Sequence, residues 1–148
     1  MTLNEEIAVL RAIPMFANLE TSRLKLVAFT CKRATFAANH TLFNAGDKIA
    51  NHAFIVLRGV VDIAVNDQQG KQIVVAQMKK NDMFGEIALL CNVPRTAKAV
   101  TNEECELLIL DKDNFFNLLK QFSDISIEIM KALAMRLEHM NKRLIGLQ

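Results

Sequence analysis

The chain has 148 residues, with 18 Lys and Arg against 16 Asp and Glu, a formal net charge of +2, and 51% hydrophobic residues. That composition belongs to a folded globular protein and excludes an intrinsically disordered one. The basic residues are scattered and not blocked, which gives no nucleic-acid footprint to this chain alone, and no apolar run approaches the roughly 20 residues that cross a bilayer.

The length suits one domain, residues 1–148, with a sizeable core. Cys31, Cys91 and Cys105 are odd in number and lack metal-ligand spacing, so they read as reduced thiols. Glu5 and Glu6 stand where a secretory leader carries positive charge. The expectation is a cytoplasmic protein, or a cytoplasmic piece of a larger one.

Thr2 and Glu5 form a capping-box pattern, and Ile7, Leu10 and Arg11 continue a short helix that Pro14 stops. A second helix is predicted over Glu20 to Ala28, with Leu24, Val27 and Ala28 on one side and Arg23 and Lys25 outside. After Phe29 the period changes to two. Thr30 to Phe36 and Thr41 to Phe43 read as strands around the polar turn Asn39-His40. Gly46-Asp47 marks a turn, and Ala53 to Leu57 is a buried apolar strand ended by Arg58-Gly59.

Val61, Ile63 and Val65 alternate with Asp62, the pattern of a half-buried strand. Asn66 to Gly70 forms a hairpin loop with Gly70 as its left-handed residue, and Ile73 to Met78 is the return strand. Arg95 to Thr101 and Cys105 to Leu110 form another strand pair around Asn102-Glu103-Glu104. Short strands with turns every 8–12 residues or so indicate a β-roll or sandwich. From Asp111 the pattern is helical, first Lys112 to Gln121, then a helix capped by Ser123 or Asp124 and running to about Ile145. Residues 1–28 are therefore N-terminal helices, 29–111 a roll, and 112–148 C-terminal helices.

The chemistry concentrates in Phe84 to Ala97. Gly85 opens a short helix, Glu86 sits in its first turn, and Arg95 follows among small residues. A helix N-terminus offers free N–H groups, Gly85 removes a Cβ from the main chain, and the Arg95 fork suits phosphate oxygens. A carboxylate repels phosphate, so Glu86 fits only as an acceptor for hydroxyls on the same ligand, as with a ribose. The plainer readings are an Arg95 ion pair with Asp47 or Glu86 at the surface, and a Glu86 placed for the helix dipole alone.

The run Phe-Gly-Glu-Ile-Ala-Leu-Leu followed by Pro-Arg-Thr-Ala resembles the phosphate-binding cassette of cyclic nucleotide-binding domains. Gly46-Asp47, Phe54 to Leu57 and Gly59-Val60-Val61 resemble further parts of that family's pattern, although Ala53 and Phe54 stand where an aromatic pair is usual. The resemblance implies a mainly β fold with flanking helices. In full it is an eight-stranded jelly-roll (double-stranded β-helix) with N-terminal helices, a short helix within the cassette at 84–97, and two C-terminal helices. It implies no catalysis and no cofactor, only a ligand, cAMP or cGMP. Arg95 is expected on the cyclic phosphate and Glu86 on the ribose, with Gly85, Ile87, Ala88, Thr96 and Ala97 completing the site. At the Thr96 position, Ala is frequent in cAMP-selective kinase domains and Thr in several cGMP-selective ones. Bacterial cAMP regulators carry hydroxyls there too, so the resemblance points to cAMP ahead of cGMP.

In the last helix, Met130, Leu133, Leu137, Met140 and Leu144 follow 3-4-3-4 spacing, a seam for a homodimer or for packing on the roll. The run Ala132 to Leu137 resembles the family's final helix, and by that match Arg136 and Met140 form a lid over the base. His40, His52 and His139 show no ligand pattern for a metal, and Ser22, Ser123 and Ser126 read as helix-start residues. Two further functions stay open. One is the sensor part of a catabolite-activator-type transcription regulator without its DNA-binding part. The other is a degenerate interaction module that binds no nucleotide.

Overall fold

The structure is a computed structural model that describes residues 2–146. Two helices come first, α1 (Leu3–Ala12) and α2 (Thr21–Phe29). Thr2 caps α1, its hydroxyl accepting from the Glu5 N–H at 3.3 Å, as the capping-box pattern predicts. Five strands follow: β1 (Cys31–Phe36), β2 (Thr41–Phe43), β3 (His52–Arg58), β4 (Val61–Asn66) and β5 (Gln72–Met78). Then come β6 (Met83–Phe84), the short helix α3 (Glu86–Cys91), β7 (Lys98–Thr101) and β8 (Cys105–Asp111). Helices α4 (Lys112–Gln121) and α5 (Ser123–Gly146) finish the described chain.

The strands form two four-stranded antiparallel sheets, ordered β1-β8-β3-β6 and β2-β7-β4-β5. This is the jelly-roll with flanking helices that the sequence implies. Strand β3 shows why its apolar run is unbroken, because both of its faces are covered. Ala53, Ile55 and Leu57 face a core shared with Leu10, Phe16, Leu24, Phe115 and Ile125 of the helical layer. Phe54 and Val56 face the second core, inside the roll, with Val61, Phe84, Ala99 and Leu107. A strand between two layers reads as continuous hydrophobicity. The alternation predicted for β4 is broken by a register shift between Ile63 and Ala64, which leaves Val61 and Ala64 as its buried residues.

Three expectations need correction. The strand predicted from Arg95 starts only at Lys98. The main chain of Arg95 is held by the turn before β3 instead, its N–H donating to Asp47 O at 2.9 Å and its carbonyl accepting from Gly46 N at 2.7 Å. The two-residue β6 was not foreseen. It pairs Phe84 with Phe54 and delivers the chain to Gly85. Ser126 does not cap a helix; its Oγ donates to Leu119 O at 2.8 Å and ties α5 to α4. Among the described residues, no helix is long and apolar enough to cross a membrane.

Helix α5 changes character along its length. Ile125 and Ile129 are buried, and Leu133 packs partly against the helical core. Beyond them, Leu137, Met140 and Leu144 are 62%, 57% and 61% exposed.

Candidate ligand-binding site

The site is built where β6 meets α3. Gly85 occupies the N-cap position of α3 with φ +81°, a left-handed conformation that favours glycine. A Cβ there would also meet Nη1 of Arg95 at 2.7 Å. Gly85 is thus needed for the turn and for the arginine beneath it, in addition to any open approach to the main chain. Asn92, at φ +54°, closes the helix in the left-handed region that Asn tolerates, and the chain returns through Pro94 to Arg95.

Arg95 is 6% exposed. Its Nη1 donates to Gly85 O at 2.7 Å and its Nη2 to His52 O at 2.6 Å. Its guanidinium carbon lies 4.1 Å from the centre of the Phe43 ring. The Nε atom is buried and has no hydrogen-bond partner. Burial pulls the Arg95 pKa below its ordinary value, against the attraction of Asp47 and Glu86, which raises it. Asp47 itself is occupied locally, its Oδ2 accepting from Asn44 N at 2.9 Å. The surface ion pair that an isolated arginine would suggest is therefore not the arrangement found.

A cavity of about 230 Å³ lies over these groups. Gly85, Glu86, Ile87, Ala88, Arg95, Thr96 and Ala97, the residues singled out from sequence, all line it. Phe43, Ile63, Met78 and Met83 add apolar wall that sequence reasoning did not assign. Ile63, an apolar residue of β4 packed partly against the core of the roll, had a usable signal; nothing local marked Phe43. The cavity presents a cationic fork, a carboxylate at the start of α3, and apolar surface between. That set suits a ligand carrying both an anionic group and hydroxyls on a body that tolerates dry contact.

Arg136 and Met140 are not among the residues lining this cavity. Arg136 lines a neighbouring cleft of about 180 Å³ together with Glu86, Asp82 and Met15. Met140 lies further along α5, beyond the turns that the core covers. The histidines are dispersed: His40 is 5.0 Å from the Phe36 ring, and His52 Nε2 is 3.7 Å from Asp111 Oδ1. Among the described residues, no group of three or more His, Cys, Asp or Glu is placed to hold a metal ion.

Comparison with known proteins agrees with this geometry. The family model described as the cyclic nucleotide-binding domain matches residues 33–122, from β1 to the end of α4. A CRP-like cAMP-activated global transcriptional regulator of Mycobacterium tuberculosis is 27% identical over 139 residues, 94% of this chain. The chain spans 62% of the length of that regulator. Among solved structures, the N-terminal domain of a transcriptional regulator from Streptomyces coelicolor A3(2) superimposes with a TM-score of 0.84 at 26% identity, covering 92% of this chain and 94% of that one. The regulatory domain of Toxoplasma gondii PKA, solved with cAMP, gives a TM-score of 0.73 at 28% identity, covering 78% of this chain and 44% of the other.

Proposed function

This chain belongs to the cyclic nucleotide-binding domain family, and we propose that it acts as a non-catalytic sensor of a cyclic nucleotide, cAMP ahead of cGMP. The observation that carries the reading is Arg95, a buried cation with an unpartnered Nε, sharing one cavity with Glu86. A buried donor without an acceptor is costly, and an incoming phosphate oxygen relieves that cost. In this reading Arg95 holds the exocyclic phosphate oxygens through charge-assisted hydrogen bonds worth about 1.5–3 kcal/mol. Glu86 accepts from the ribose 2′-hydroxyl. Gly85, Ile87 and Ala88 offer main-chain groups from the start of α3, and Thr96 and Ala97 close the phosphate end.

The cavity, at about 230 Å³, is below the roughly 300–1,000 Å³ of most ligand pockets. It takes the ribose phosphate and leaves the base near its mouth. Arg136 shares a cleft with Glu86, so a modest shift of α5 brings the guanidinium over the base, with Met140 following one turn later. Ligand binding then favours the closed position of α5 by the contacts made only there. Met130, Leu137, Met140 and Leu144 form the exposed seam by which two copies associate, so that base capping and dimer geometry are read by the same helix.

Residues 1–148 act as one cytoplasmic unit in this account, with an effector that reads α5. The relatives described as transcriptional regulators support an output in transcription. The test is titration with cAMP and cGMP side by side, following affinity and oligomer mass together. Saturable binding with cAMP tighter, and a change in mass or in α5 position, is expected. Binding of neither nucleotide by folded protein excludes the sensor reading.

A further inference from the structure

We infer that Phe43 is a positioning residue, a rigid aromatic platform that sets the plane of the Arg95 guanidinium and so the orientation of the bound phosphate. This rests on the reading of Arg95 as the phosphate ligand. A guanidinium on a flexible stem has many orientations, and bidentate contact with two oxygens requires one plane. Nη1 and Nη2 donate to Gly85 O and His52 O at 2.7 and 2.6 Å. Two anchored nitrogens still leave the group a rocking motion about the line that joins them. The Phe43 ring, 4.1 Å from the guanidinium carbon, supports one face and stops that motion.

The platform is itself held. Phe43 stands 6.0 Å from the Phe54 ring and 6.2 Å from the Phe84 ring, and those two stack at 5.3 Å. Phe54 and Phe84 are buried in the core of the roll and paired across β3 and β6. Phe43 also lies 3.6 Å from the Cβ that Gly85 lacks. The glycine, the ring and the arginine thus pack as one unit. Attraction between a cation and an aromatic face is strongest where water is excluded, and Arg95 is only 6% exposed. The ring also compensates a charge whose buried surroundings otherwise disfavour it.

The experiment is calorimetric titration with cAMP of the full chain as wild type, Phe43→Leu, Phe43→Tyr, Arg95→Ala and the Phe43→Leu/Arg95→Ala double variant. Leucine keeps apolar contact with Phe54 and Phe84 but has no π face; tyrosine keeps the face. Phe43→Leu should weaken binding ~10-fold, Phe43→Tyr less than ~3-fold, and Phe43→Leu should add nothing once Arg95 is gone. Thermal midpoints establish that each variant is folded, and Phe43→Met replaces Phe43→Leu if leucine does not fold. Unchanged affinity in Phe43→Leu, or an equal loss with and without Arg95, overturns the platform while the sensor reading stands. A folded wild type that binds no cAMP overturns both.

Discussion

At the scale of single residues, Arg95 carries the proposed phosphate contact. It is buried, it touches two carbonyl oxygens and an aromatic face, and one of its donors has no acceptor. Glu86, out of place beside a phosphate alone, lines the same cavity and is the proposed acceptor for a sugar hydroxyl. The cysteines report on the fold and not on the ligand. Burial, with a smaller push from Glu6 and against a hydrogen bond from Thr30, drives the Cys31 thiol up to about 12, and burial raises Cys105 as well. The folded state keeps Cys31 protonated while the unfolded chain loses that proton from its ordinary value of 9.0. Stability from this thiol is therefore complete below about pH 9 and declines as pH climbs towards 12, by at most one proton, on the order of 1 kcal/mol per pH unit. Urea midpoints at pH 8 and pH 10.5 should show a smaller decline for Cys31→Ala than for wild type. Parallel declines would rule out this role for Cys31.

At the scale of elements, local chemistry explains what the sequence discloses. The cassette was legible because its needs are local: a left-handed glycine, a helix start, a proline turn and an arginine lie within one short run. The apolar run of β3 was legible for the same reason, whereas the alternation expected of β4 is broken by a register shift against β5 that nothing local announces. What escaped depends on distant partners. The strand predicted at Arg95 fails because Gly46 and Asp47, far back in the chain, take its main-chain hydrogen bonds. Strand β6 is two residues long and exists only because β3 is beside it. Phe43 becomes part of the site only through contact with Arg95. In α5 the sequence set out two roles for one stripe. Of that stripe only Leu133 packs partly against the helical core, whereas Met130, Leu137, Met140 and Leu144 are exposed, and the buried residues of the helix, Ile125 and Ile129, lie outside it. Leu137→Asp should lower the sedimentation mass, the cAMP affinity, or both, since a carboxylate in a dry helical seam is strongly disfavoured. If mass and affinity both match wild type, neither role belongs to that face.

At the scale of the whole molecule, the fold places the cavity wholly in the roll and the cassette, and a neighbouring cleft reaches α5 at Arg136. The roll and the helical core that includes Phe16, Phe115 and Ile125 form the fixed frame. The distal half of α5 stands outside that frame, and the family match ends at residue 122, before it. The proposed sensor separates recognition, assigned to α3 and Arg95, from response, assigned to α5, and the cleft lined by both Glu86 and Arg136 is the proposed link between them. Ligand energy reaches α5 only to the extent that the closed position adds contacts.

The most direct test of the central claim is isothermal calorimetry of cAMP binding to wild type and to Arg95→Ala, with folding of both checked by their thermal midpoints. The account predicts saturable binding of one nucleotide per chain by wild type and a loss of at least ~100-fold, about 2.7 kcal/mol, in Arg95→Ala. Equal affinity in the two folded proteins would contradict it.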